Sequence, residues 1–272
     1  MDIFEEIARL RKAGIKAALA TIVNVRGSIP SFESAKLLVR EDGSLFGTVG
    51  GGCVEAEVWE TARQVMREEK PRKLTFNLNN DPSYDTGLLC GGTLEVFVEP
   101  ILPTPYVYIF GAGHVSLSLS KVATLAGFQT VIVDDRDTYA NRERFPEAAE
   151  IYADDYEAVF ERLNPNSSSF LIAVTRGHRD DMRVLRWAVG TQARYIGMIG
   201  SKRKVLEIVQ YLEEKEGIPA TQLARVHAPV GLEIGAITPE EIAISIVGEM
   251  IAVRRNALED VKPHPKSILA VS

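Results

Sequence analysis

The stretch Tyr106–Arg136, YVYIFGAGHVSLSLSKVATLAGFQTVIVDDR, constrains the fold more than any other part of the chain. Val107 to Phe110 is an apolar run of strand composition, followed by the turn Gly111-Ala112-Gly113. Val115 to Ala126 then carries apolar residues at helical spacing, Gly127 breaks it, and Thr130 to Val133 is a second apolar run ending at Asp134-Asp135. Strand, glycine turn, helix, strand and acid in that order predict one parallel βαβ unit able to hold a nucleotide-type ligand. Gly111 takes the turn, and Gly113 lets the backbone approach a pyrophosphate at the helix N-terminus, where N–H groups favour an anion. Asp134, 21 residues after Gly113, is placed to meet a ribose hydroxyl. The third glycine of the fingerprint is replaced by Ser116, so the prediction rests on the strand–helix context more than on the glycines.

A chain of 272 residues suggests two domains. Its net charge of -6 argues against a general nucleic-acid or membrane-surface binder. The N-terminus MDIFEEIARLRKAG is charged and amphipathic, unlike a signal peptide, and no apolar run approaches a membrane span. With two cysteines only, Cys53 and Cys90, a cytoplasmic setting is expected, with local cysteine chemistry rather than a disulfide framework.

Residues 2–13 read as an amphipathic helix closed by Gly14. Strands are expected at Lys16–Val25, Ala35–Arg40 and Ser44–Val49, a helix at Val54–Lys70, and strands at Arg72–Leu78 and Thr93–Val98. This gives an α+β domain over residues 1–99. Pro100, Pro103 and Pro105 form a stiff linker over 100–105. From 106 to 272 the βα alternation continues: helices at Tyr156–Leu163, Asp180–Val189 and Lys202–Glu214, and strands at Ser169–Thr175, Tyr195–Ile199 and Leu223–His227. A last helix is capped by Thr238, with Pro239 in its first turn and Glu241 closing a capping box. The fold class is therefore α/β, an N-terminal α+β domain followed by a Rossmann-like, doubly wound parallel sheet.

Chemistry is expected first at Gly50-Gly51-Gly52-Cys53. Three glycines free the backbone to turn several N–H groups toward one ligand, and a helix N-terminus favours a thiolate at Cys53. Cys90 is also followed by two glycines. Two cysteines in glycine turns fit a shared site for a soft metal centre or an anion, or two small residues buried in tight turns. In the second domain Ser201, Lys202 and Arg203 open a helix where cations oppose the dipole, which an anion beside Gly200 would explain. His178 and His114 are candidate acid/base residues at strand ends, and His227 lies in another glycine-interrupted loop.

GTVGGGCVEAEV, LLCGGTLEVFVEP, IFGAGHVSLSL, VIVDDR, YIGMIGSKRK and VHAPVGLEIGAITPEEIAISI together resemble the xanthine dehydrogenase accessory proteins, the XdhC/CoxI family. The resemblance spans residues 7–255 in order. It implies a chaperone that binds the molybdenum cofactor (molybdopterin), protects it during sulfuration, and delivers it to xanthine dehydrogenase or a related molybdoenzyme. A cysteine desulfurase is an implied partner, and a homodimer is expected. Cofactor contact would fall at Gly50, Gly51, Gly52, Cys53 and Cys90, with the cysteines facing molybdenum, and nucleotide-like contact at Gly111, Gly113 and Asp134. The family's THDH-like pattern has a second histidine where this chain has Arg176, which leaves His178 without a partner for a two-histidine metal site. The two glycine-rich regions read as halves of one ligand site. Two other functions compete with the chaperone reading: an NAD(P)-dependent oxidoreductase and a nucleotide-sensing regulator.

Overall fold

A computed structural model describes residues 2–28, 33–77 and 91–258. Cys90 and the tail from residue 259 lie outside the described residues. The chain divides between Thr104 and Pro105 into two units.

The first unit begins with α1 (Ile3–Ala13), held at its start by the Asp2–Glu5 capping box and closed by Gly14 in the left-handed conformation. Five antiparallel strands follow: β1 (Ala17–Ser28), β2 (Lys36–Arg40), β3 (Leu45–Gly47), β4 (Arg72–Asn77) and β5 (Gly91–Ile101), in the sheet order β3-β2-β1-β5-β4. The central β1 alternates between two covered faces. Ala18, Ala20 and Ile22 pack toward α2 (Gly52–Glu68) through Val54, Val58, Ala62 and Val65. Ala17 and Leu19 pack against Leu10 of α1. Burial on both faces explains why β1 reads as an almost unbroken apolar run.

The proline-rich stretch departs from the expected linker. Strand β5 continues through Pro100, which pairs with Ala18, and on to Ile101 opposite Ala17. Strand β4 ends opposite Val98. Beyond that point β5 has no partner on that side among the described residues, and a residue lacking N–H there forfeits no ladder bond.

The second unit is a fully parallel six-stranded sheet. Its strands are β6 (Tyr106–Phe110), β7 (Gln129–Val133), β8 (Glu150–Tyr152), β9 (Ser169–Ala173), β10 (Tyr195–Met198) and β11 (Val226–His227), in the order β11-β10-β9-β6-β7-β8. Counted within the unit this is the dinucleotide-fold order, with the strand order reversing between β6 and β9. Helices α3 (His114–Leu125) and α8 (Pro239–Arg254) cover one face, on Val107, Ile109, Ile132 and Phe170. On the other, α4 (Tyr156–Phe160), α5 (His178–Ala188), α6 (Lys202–Glu214) and the short α7 (Ala220–Leu223) pack on Phe110, Val133, Leu171 and Ile196. The doubly wound expectation is met. Two details differ from it. The three-residue β8 is too short to stand out as an apolar run, and Leu223 closes a helical turn begun after Pro219, leaving only Val226–His227 as strand.

Candidate functional site

In the first unit the triple-glycine turn is built as its sequence demands. Gly50, Gly51 and Gly52 have φ of 122°, 78° and 61°, a run of left-handed conformations that side chains disfavour. Gly51 is the N-cap of α2 and supplies no side-chain cap, so the head of the helix is not closed by its own sequence. A Cβ added at Gly51 would meet nothing within 4 Å. Cys53, in the first turn, is exposed. Glu55 braces the approach to the turn, accepting from the Thr48 hydroxyl at 2.5 Å and from Val49 N–H at 3.3 Å. Gly50 N–H donates back to the Thr48 hydroxyl at 3.2 Å, and Cys53 lies on the exposed side of the turn.

In the second unit, helices α3 and α5 follow the two strands that flank the reversal of strand order. Each starts from a glycine N-cap, Gly113 and Gly177, without a side-chain cap. Each has an exposed histidine, His114 and His178, as its first residue. Neither Gly113 nor Gly177 would bring a new Cβ within 4 Å of anything. Gly111 is the opposite case. At φ 111° its Cβ would stand 2.4 Å from the Val174 carbonyl oxygen, so the residue is required for β6 and β9 to close together.

Asp134 does not present an open carboxylate to a ribose. It is 2% exposed. One oxygen accepts from Ala112 N–H at 2.7 Å, and the Arg136 guanidinium binds both oxygens at 2.8 Å. Burial pushes its pKa up, but the Arg136 side chain and the N–H groups of Ala112 and Arg136 outweigh this and hold the carboxyl below its usual range. Arg144 donates to Ala112 C=O at 3.1 Å, so the middle of the turn is clamped on both sides of one residue. The exposed acid at this end of β7 is Asp135, which pairs with Arg176 at 2.7 Å.

The basic start of α6 is also explained internally. Ser201 is its N-cap, accepting from Lys204 N–H at 3.3 Å. Lys204 reaches the buried Asp181, which also accepts the Thr175 hydroxyl at 2.7 Å. Arg203 pairs with Glu207 at 2.9 Å. Lys202 is exposed. An anion is therefore not needed to account for most of this charge.

Sequence reading missed one network. Glu249 of α8 is buried and accepts the Tyr195 hydroxyl at 2.7 Å, Gly231 N–H at 2.6 Å and the Nδ1 side of His227 at 2.7 Å. The three partners lie on different elements, so no local motif announces them. Among the described residues, no group of three or more His, Cys, Asp and Glu side chains could hold a metal ion.

Comparison with known proteins places the chain in a family. Residues 10–77 match the XdhC and CoxI family, and residues 107–250, more than half of the chain, match the XdhC Rossmann domain. The chain belongs to the XdhC and CoxI family. It is 37% identical to the uncharacterized protein YqeB of Escherichia coli K12 over 94% of its own length, and spans 47% of the length of that relative. It is 24% identical to the molybdenum cofactor insertion chaperone PaoD of Escherichia coli K12, covering 94% of this chain and 89% of that one. A crystal structure described as a xanthine dehydrogenase from Bacillus halodurans superposes with a TM-score of 0.51 at 26% identity, covering 97% of this chain and 98% of that one.

Proposed function

We propose that this XdhC-family chain is an accessory protein that carries the molybdenum cofactor as cargo and delivers it to xanthine dehydrogenase or a related molybdenum hydroxylase. The observation that carries the reading is the outward-facing turn at Gly50–Gly52, with Cys53 on the unclosed head of α2. Family membership and the likeness to a molybdenum cofactor insertion chaperone support it. The donor set suits the cargo. Molybdenum with sulfur ligands is soft and takes a thiolate, and the N–H groups at the head of α2 favour negative charge beside it. Release to an acceptor protein asks for an exposed, weakly enclosed site, which this turn provides.

An NAD(P)-dependent oxidoreductase ranks behind this reading. The acid that would bind a ribose, Asp134, already has its oxygens occupied by Arg136 and Ala112. The test is transfer. Chain purified from cells that make molybdopterin is mixed with a cofactor-free molybdenum hydroxylase, and hydroxylase activity is followed. The proposal expects activity to rise with added chain and to stay flat when the chain comes from cells that cannot make molybdopterin. Equal activity from both preparations contradicts it.

A further inference from the structure

The first unit holds a cleft whose lining includes no residue of the Gly50–Cys53 turn. Its volume is about 330 Å³, at the small end of the range for small-molecule pockets. It is lined by Arg9 and Leu10 of α1, Ile15 of the loop into β1, and Arg40, Glu41 and Asp42 at the end of β2. Leu10 and Ile15 belong to the core cluster between α1 and the sheet and make up the apolar part of the lining.

The polar part carries both signs of charge. Glu6 of α1 is 0% exposed and is bound by two guanidiniums. Arg9 donates to it from Nε at 2.7 Å and Nη2 at 2.8 Å, and Arg40 from Nε at 2.8 Å. These bonds, that of Arg9 foremost, hold the Glu6 carboxyl down at about 2, so it stays charged. Tying α1 to β2 takes Arg40 alone, since Arg9 comes from the same helix as Glu6. One carboxylate shared by two guanidiniums leaves a positive charge over. The Ser44 hydroxyl then sets a negative charge beside it. It accepts from Arg40 Nη1 at 3.0 Å and donates to Asp42 Oδ1 at 2.6 Å, so cation and carboxylate stand one hydroxyl apart. The bonds from the Ser44 hydroxyl and N–H keep Asp42 below the usual carboxylate range. Among the described residues, Arg9 Nη1, Arg40 Nη2 and Asp42 Oδ2 have no hydrogen-bond partner, and Glu41 accepts only from Lys16 N–H, at 3.4 Å.

We propose that this cleft binds a free α-amino acid with an aliphatic side chain. Its carboxylate meets Arg9 and Arg40, its ammonium meets Asp42 and Glu41, and its side chain lies on Leu10 and Ile15. Neighbouring charges of opposite sign select a ligand that carries both: a plain anion meets two carboxylates, and a plain cation meets two guanidiniums. The inference is independent of the cargo reading and uses none of its residues.

The test is calorimetric titration of the full chain with three probes of one shape. L-leucine carries both charges, 4-methylpentanoate lacks the ammonium, and 3-methylbutylamine lacks the carboxylate. L-leucine should bind about tenfold or more tighter than either analogue, the scale of one charge-assisted hydrogen bond. Arg9→Gln, at a side chain 53% exposed, keeps the Arg40–Glu6 tie, and Asp42→Asn keeps an acceptor for Ser44. Each should weaken L-leucine by about tenfold while thermal unfolding stays close to wild type, which separates a ligand contact from a loosened α1. No heat with L-leucine at millimolar concentration, equal affinity for 4-methylpentanoate or 3-methylbutylamine, or unchanged binding in both variants would overturn the proposal.

Discussion

The glycine turns at the heads of α2 and α3 obey different physics. At Gly111-Ala112-Gly113 the glycine is there for closeness. Gly111 lets two strands meet over the Val174 carbonyl, and Ala112 is buried and clamped by Asp134 and Arg144. At Gly50-Gly51-Gly52 the glycines are there for presentation. The backbone takes three left-handed conformations in succession, and the turn opens on exposed surface beside Cys53. On paper the second unit has the more familiar ligand motif. In space much of that motif holds the sheet together, whereas a Cβ at Gly51 of the first turn would meet nothing within 4 Å.

Substitutions can break that contrast. Gly111→Ala should have the largest effect, because backbone atoms of Val174 cannot yield to a Cβ at 2.4 Å and φ is 111°. A loss of roughly 3–4 kcal/mol is expected from overlap and strain together, read by chemical denaturation of the second unit. Asp134→Asn comes next, at about 2–3 kcal/mol, since it leaves Arg136 without its buried partner. Its signature is in the pH profile. A depressed folded-state pKa contributes stability above the unfolded value of about 3.9 and loses it as pH falls through the folded value. Wild type should therefore lose stability below about pH 4 through this group, and Asp134→Asn should lack that component.

Gly51→Ala should cost less, roughly 1–2 kcal/mol, from conformational strain alone, because its Cβ would meet nothing. A stability loss equal to that of Gly111→Ala would erase the distinction between the turns. A smaller stability effect sets the scale for an ordinary helix start. Thr238→Ala, which opens the Thr238–Glu241 capping box of α8, should cost about 1 kcal/mol in thermal unfolding.

Local patterns were legible and long-range ones were not. The βαβ core, the capping box of α8 and the two-faced burial of β1 follow from spacing within a few residues. Asp134 shows the limit of a motif: its position was readable, but not that Arg136 and Ala112 fill its oxygens. Arg144 reaches Ala112 across 32 positions, and Lys204 reaches Asp181 across 23, so the charges at the start of α6 looked unexplained in the sequence. The Tyr195–Glu249–His227 network joins β10, α8 and β11, and only the sheet order brings them together. In the first unit the GGGC turn was legible because its glycines and cysteine are consecutive. Its proposed companion Cys90 lies outside the described residues.

The central claim is that the Gly50–Cys53 turn holds the cargo. The wild-type chain and Cys53→Ala, purified from cells that make molybdopterin, can be oxidised and compared by pterin fluorescence per mole of chain. The account predicts similar thermal stability, within about 0.5 kcal/mol for an exposed substitution. It predicts retention lower in the variant by on the order of tenfold, the equivalent of ~1.4 kcal/mol of lost ligation. Equal retention by the two proteins would contradict it.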